Sequence, residues 1–337
     1  MTMNPAVSIL LPVRNGAEFL GEALASMLTQ TLGDCELVAV DDGSTDGTAA
    51  LLAEAASRDS RVTIVPGPSQ GISAALNAGL LHCRAELIAR MDADDLSLPT
   101  RLEKQRQALL DAPALAAVGT QVEIFPRHTL AGGFLAYEGW LNSLTTPQRV
   151  REDCLVEAPL VHPAAMIRRA ALEEVGGFQA QGWPEDYALW LSLLERGHAL
   201  TNLPEVLFRW RDHPGRLTRT HSDYQWRSHV RLKAHHLRRT SLKERARCVL
   251  WGAGKTGRAF FRALSAEGVT IERFVDIDPR QIGRTLHGAK VIPPEELGPF
   301  AGTFLVAAVG AKGARAEIRG FLDRTGWSEL TQYRCCG

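Results

Sequence analysis

At 337 residues, 45% apolar and 23% charged, the chain has the composition of an ordinary soluble globular protein and, at roughly 150 residues per domain, the length of two domains. Such a chain buries sizeable cores unaided, which excludes disordered, collagen-like and disulfide-stapled classes. The zero net charge is uneven, with 18 basic against 28 acidic side chains in residues 1–226 and 8 against 1 in residues 227–247, so we expect an acidic body, a basic connector and a further domain.

The six cysteines (Cys35, Cys83, Cys154, Cys248, Cys335, Cys336) form no CxxC pair and no zinc spacing, and are expected to be reduced and buried. The apolar stretch 6–13 is far shorter than the roughly 20 residues a bilayer requires, and no basic leader precedes it. The expected location is cytoplasmic, with peripheral contact on the cytoplasmic membrane face as an option.

In chain order, strands are predicted at 7–13, 36–40, 62–65 and 86–91. Helices are predicted between and after them, at 18–30, from Ser44 or Asp46 to 56, at 72–81 and, after Pro99, at 101–110. This alternation predicts a doubly wound α/β sheet. Residues 127–160 read as an irregular connection, 161–167 as a strand, 184–196 as a helix, and 205–210 as a strand running into Arg211-Asp212-His213.

Ligands of such sheets bind beyond the carboxyl ends of the strands, and here two of those ends carry clustered acids. Asp41-Asp42-Gly43-Ser44-Thr45-Asp46 follows the second strand and Asp92-Ala93-Asp94-Asp95 the fourth. Residues i and i+2 of an extended segment project to one side, so Asp92 and Asp94 are able to face one hard cation or one ribose. A solvated turn, with Asp95 capping the next helix, is the plain alternative. Glu185 and Asp186 open a helix whose dipole favours carboxylates there, and one of them could equally serve as a general base.

Taken in order, these motifs resemble an inverting family-2 glycosyltransferase of GT-A fold across residues 7–213. The resemblance rests on 7–15 (VSILLPVRN), 41–46 (DDGSTD), 71–79 (GISAALNAG), 89–95 (ARMDADD), 98–102 (LPTRL), Val161-His162-Pro163, 185–190 (EDYALW) and 208–213 (FRWRDH). It implies a nucleotide-sugar donor, usually UDP-linked, contacted by Pro12, Val13, Asn15, Asp41, Asp42, Asn77, Arg90, Asp92 and Ala93. It further implies Mn²⁺ or Mg²⁺ on Asp94, Asp92 and His213, and a catalytic base at Asp186, with Glu185 beside it. The acceptor implied is a saccharide or lipid-linked saccharide in glycan or polysaccharide biosynthesis. Processive members carry a Gln two residues before the Arg-Trp pair, where this chain has Leu207, so transfer of a single sugar is expected.

The tail carries a second pattern. A strand at 248–251 runs into Gly252-Ala253-Gly254-Lys255-Thr256-Gly257, a helix follows, and a strand ends at Asp276 about 20 residues on. This is a Rossmann-like dinucleotide fingerprint, with Gly252, Gly254, Gly257 and Asp276 as a second nucleotide site for NAD(P) or another nucleotide. With only some 90 residues remaining, half of such a fold is expected, and a purely structural βαβ unit is the plain alternative. The expected organisation is a GT-A domain over 1–222, a basic helical connector over 223–246 and a Rossmann-like domain over 247–337. Residues 227–247 read as either a solvated helix or a basic amphipathic helix on an anionic membrane. Nucleic acid is not an expected partner, because the body is acidic. Two rival functions are an NAD(P)-dependent oxidoreductase acting through the tail and a non-catalytic nucleotide-sugar-binding subunit.

Overall fold

The computed structural model describes residues 4–130 and 132–337. They form two compact units: one takes residues up to Val150 with Pro159–Gln181 and Glu185–Thr220, the other Arg151–Ala158, Gly182–Pro184 and His221–Gly337.

The first unit is a mixed eight-stranded sheet of β1 (Val7–Val13), β2 (Cys35–Asp41), β3 (Val62–Pro66), β4 (Leu87–Arg90), β5 (Leu96–Ser97), β6 (Leu115–Phe125), β7 (Met166–Arg168) and β8 (Ala199–Arg211). Their order is β3-β2-β1-β4-β7-β6-β8-β5. The strands β3, β2, β1 and β4 are parallel, whereas β7 runs antiparallel to both β4 and β6. The helices are α1 (Leu20–Leu28), α2 (Thr48–Arg58), α3 (Ile72–Leu80), α4 (Arg101–Asp111), α5 (Gly132–Asn142), α6 (Pro147–Asp153, which runs on into the second unit), α7 (Arg169–Glu174), α8 (Glu185–Glu195) and the single turn α9 (Leu217–Thr220). Val7, Ile9, Leu11, Leu37, Ala39, Leu24, Met27 and Leu52 are buried in one core between sheet and helices. Burial on both faces explains why β1 and β2 are mostly apolar, and their buried polar members Ser8 and Glu36 hydrogen-bond to each other at 2.6 Å.

Three stretches differ from expectation. The connection 127–160 contains α5 and α6, whose apolar positions are too few and too interrupted by glycine for a clear helical period. The strand expected at 161–167 is a 3₁₀ turn at His162–Ala164 followed by β7, because Pro163 cannot donate to a ladder. The long strand β6 went unrecognised, and it pairs with β8 over most of its length.

The second unit has six strands, β9 (Arg247–Trp251), β10 (Thr270–Val275), β11 (Thr285–Leu286), β12 (Ala289–Ile292), β13 (Phe304–Ala307) and β14 (Tyr333–Cys335). Its helices are α10 (Trp226–Arg239), α11 (Lys255–Ala266) and α12 (Ala314–Arg324). The strand order β11-β12-β10-β9-β13-β14 is parallel except for β11. Direction of progression reverses between β9 and β13, the position where open α/β sheets bind ligands. Five parallel strands exceed the half-fold expected from the length of the tail.

Segment 151–158 groups with the second unit because basic side chains of that unit hold it. Arg319 pairs with Asp153 at 2.6 Å, Arg334 donates to the Arg151 carbonyl at 2.8 Å and Lys233 to the Val156 carbonyl at 2.7 Å. The basic helix α10 likewise belongs inside this unit. Val230, Leu232, Ala234 and Leu237 are buried while Arg227, Arg231 and Arg239 face outward, so most of its apolar side is packed within the unit. Among the described residues no helix is long and apolar enough to cross a membrane, and all six cysteines are free and buried.

Candidate functional site at the carboxyl ends of β1, β2 and β4

Sheet register sets Val13 beside Asp41, and Leu10 beside Arg90, so the segments leaving β1, β2 and β4 emerge together. Asn15 adopts φ +53°, a conformation that a short polar side chain tolerates. Its amide N–H donates to Ser44 Oγ at 2.9 Å, and its Oδ1 accepts from the Thr45 N–H at 2.8 Å. Gly16 N–H donates to Thr48 Oγ1 at 2.9 Å and Ala17 N–H to Asp46 Oδ2 at 3.1 Å. The two loops are thereby stitched into one rim above the buried Pro12 and Val13. A Cβ on Gly16 would come 2.6 Å from Val13 and 3.4 Å from the Ala93 Cβ, so this rim lies against the third loop as well.

The two acids after β2 have distinct local roles. Asp41 Oδ1 accepts from Ser44 N–H at 2.9 Å, closing its own turn. Asp42 is buried, and its carboxylate accepts from the N–H groups of Ser69 at 2.6 Å and Gly71 at 3.2 Å. It therefore orders the loop that leads into α3.

After β4 the acids converge. Ligand oxygens of Asp92, Asp94 and Asp95 lie within 4.8 Å of one another. His213, from beyond β8, brings Nε2 to 2.8 Å from Asp94 Oδ2, although 119 residues separate them. Arg90, 1% exposed, pairs with Asp92 Oδ1 at 2.5 Å and also donates to the Met91 carbonyl. Arg211 donates its N–H to Asp95 Oδ1 at 2.7 Å and its Nε to the Asp94 carbonyl at 2.7 Å. Its guanidinium lies 4.5 Å over the Phe19 ring, which also neighbours His213 at 5.1 Å. Asp95 does not cap the next helix, which was the plain alternative, and Thr100 stands at that N-cap; Asp95 is fully buried with Oδ2 unpartnered. Burial first, then the charge of Asp94, holds its carboxyl well above the usual range. Three acids, one with an orphaned buried oxygen, and an imidazole are a donor set suited to a hard divalent cation.

A second group stands at the start of α8. Glu185 is buried, with Oε1 3.8 Å from His162 Nδ1, whereas Asp186 is half-buried and accepts from the Tyr187 N–H at 2.7 Å. The His162 imidazole, between the rings of Phe178 and Trp190, is held well below its usual pKa by burial and by the charge of Arg90. Arg101, also fully buried, donates to the Pro163 carbonyl at 2.7 Å and the Arg90 carbonyl at 3.1 Å. Burial pushes it down to about 9, with Asp95 opposing that shift and Arg90 adding to it. Arg90 thus touches Asp92 on one side and acts electrostatically on His162 on the other.

Asn77 is occupied differently from the donor contact expected of it. Its amide donates to the Phe178 carbonyl at 2.8 Å and accepts the Phe178 N–H at 3.0 Å, clamping α3 to the turn 176–178. Sequence reasoning missed Arg101 and Arg211. Both lay within motifs already quoted, 98–102 and 208–213, and for Arg211 the spacing of two from Arg209 and His213 was the available signal.

In the second unit, a cavity of about 510 Å³ lies at the carboxyl ends of β9 and β13, walled by the Gly252–Gly257 turn, Asp276 and one face of α12. Asp276 accepts from the Ala253 N–H at 2.6 Å and from the Asp278 N–H at 2.9 Å.

A parallel sheet bearing an acid cluster at β4, continued by antiparallel strands, is the arrangement of the GT-A fold. The S. aureus TarS fragment 1–349, solved with UDP-GlcNAc, superposes with a TM-score of 0.54 at 15% identity, covering 79% of this chain and 80% of that one. Residues 8–176 match Glycosyl transferase family 2, and the chain belongs to that family. It is 31% identical over 217 residues to EpsE of Bacillus subtilis, a candidate glycosyltransferase, covering 63% of this chain and 75% of the relative. It is also 31% identical over 207 residues to the amylovoran biosynthesis glycosyltransferase AmsE of Erwinia amylovora, covering 61% and 75%.

Proposed function

We propose that the first unit transfers a single sugar, with inversion, from a nucleotide-sugar donor, UDP-linked in our reading, to a hydroxyl of a saccharide or lipid-linked saccharide during polysaccharide assembly. The observation that carries this reading is the convergence of Asp92, Asp94, Asp95 and His213 beside the stitched loops of β1 and β2. Those loops are the donor cradle in this reading, with Pro12, Val13, Asn15, Asp41, Asp42 and Ala93 around the nucleoside. Asp92, Asp94 and His213 are the residues that would hold Mn²⁺ or Mg²⁺. Bound there, the cation supplies neutralisation of the charge that develops on the departing diphosphate.

The remaining chemistry belongs to the chain. Asp186, less buried than Glu185 and at a helix N-terminus that favours its anionic form, takes the proton of the attacking hydroxyl. The acceptor oxygen bonds to the anomeric carbon as the bond to the diphosphate oxygen breaks, and attack from the opposite face inverts the centre. Glu185 and His162, buried and adjacent, help to place the start of α8. The names of the relatives favour transfer over the oxidoreductase alternative. The test is sugar release and transfer from a panel of nucleotide sugars with Mn²⁺, comparing wild type with Asp186→Asn and Asp94→Ala. Full activity in both variants would overturn the assignment.

A further inference from the structure

The Gly252–Gly257 turn contains glycines of two kinds. Gly252 has φ +119° and its Cβ would meet the Ala308 carbonyl oxygen at 2.7 Å, while a Cβ on Gly257 would lie 1.7 Å from the Gly252 carbonyl oxygen. Both are required by the fold. Gly254 is not: its φ of −78° and ψ of −163° suit any residue, and a Cβ there meets nothing within 4 Å. Neither backbone nor packing explains this glycine, yet it lines the cavity at the N-cap of α11. The helix ladder begins with the Arg258 N–H donating to the Gly254 carbonyl at 3.0 Å, so the amides of residues 255–257 precede it, and those three residues line the cavity.

The other walls define the ligand. Asp276 is fixed beside the turn by its bond to Ala253 N–H, and each carboxylate oxygen retains a second lone pair for a ribose hydroxyl. Glu295 and Glu317 offer further carboxylates, and Ile277, Val309 and Phe321 offer apolar surface. Three acids against Lys255 and Arg324 favour hydroxyl-bearing groups over additional phosphates.

We infer that this cavity binds a nucleoside diphosphate compound, its diphosphate over Gly254 at the N-terminus of α11 and its ribose on Asp276. The ligand is either a dinucleotide or a nucleotide sugar, without a 2′-phosphate, and it binds independently of the acid cluster of the first unit.

The test is calorimetric titration of the full chain in EDTA with NAD⁺, NADP⁺, ADP, UDP and UDP-GlcNAc. Wild type, Asp94→Ala, Gly254→Ala and Gly254→Asp are compared, with melting temperatures recorded alongside. The expected result is metal-free binding of at least one diphosphate, unchanged in Asp94→Ala and weakened tenfold or more in Gly254→Asp at an unaltered melting temperature. NADP⁺ binds more weakly than NAD⁺ on this reading. Binding of NAD⁺ and ADP without UDP assigns a dinucleotide, and preference for UDP-GlcNAc a nucleotide sugar. If Gly254→Asp is unstable, Gly254→Ala supplies the comparison. Absence of metal-free binding at millimolar ligand, or binding indifferent to both Gly254 variants, overturns the inference. Loss of Mn²⁺-dependent binding in Asp94→Ala concerns the transferase site alone, so the two readings fail separately.

Discussion

His213 Nε2 lies 2.8 Å from Asp94 Oδ2, joining the end of β8 to the acid cluster after β4. If both are ligands of one cation, removing the imidazole weakens the ion without unfolding the unit. His213→Ala should raise the Kd for Mn²⁺ at least about tenfold. Electron paramagnetic resonance titration of Mn²⁺ measures this directly, and an unchanged Kd would remove His213 from the site.

Asp186 and Glu185 are adjacent but unequally placed, the first half-buried and the second 5% exposed. Asp186→Asn should lower kcat by about 10²- to 10⁴-fold while leaving the donor KM nearly constant, the signature of a lost base. Glu185→Gln should instead act on stability through its neighbour His162. A comparable kcat loss in both variants would show that the base assignment is wrong.

Asn77 forms two hydrogen bonds to the backbone of Phe178, and we expect its loss to be felt in folding. Asn77→Ala should cost about 1–3 kcal/mol in denaturant unfolding, since it leaves a peptide unit unpaired. Nucleotide affinity should hold. A variant of normal stability with weakened donor binding would restore Asn77 to the cradle.

Two buried histidines make the protein sensitive to acid. Burial chiefly, with Arg334, Arg239 and His235 nearby, pushes His236 down to about 3, and burial with Arg90 holds His162 well below 6.5. The unfolded chain binds more protons below pH 6.5, so stability falls as pH drops through that value toward the folded pKa. Between pH 7 and 5 the loss should be about 2 kcal/mol for His236. His236→Leu should shrink the pH dependence of unfolding by that amount. An equal slope in wild type and variant would refute the assignment.

Gly257 and Gly254 should respond oppositely to the same substitution. Gly257→Ala places a methyl 1.7 Å from the Gly252 carbonyl oxygen and should cost about 3 kcal/mol or more, while Gly254→Ala should be nearly neutral in thermal unfolding.

Much of the fold was legible because its elements are locally encoded. β1, β2 and β3 are short, β-branched and mostly apolar runs, and α1, α3, α4 and α8 carry helical spacing. The stretch containing α5 and α6 was not legible, since glycine and polar residues break its period. The grouping of 151–158 with the second unit was hidden for another reason, because Arg319 and Arg334 reach it from more than 160 residues away.

By itself the sequence determined the sheet class, the acid clusters at strand ends and the glycine turn of the tail. These follow from periodicity and from spacing along the chain, which are short-range properties. Only the tertiary structure decided that His213 meets Asp94, that Arg90 is buried while pairing with Asp92, and that Asp42 and Asn77 spend their polar atoms on backbone. It also distinguished the glycine that leaves room from the two that the turn requires. Each of these depends on which strands pair and in what register, a choice made by the whole core rather than by any local run of residues.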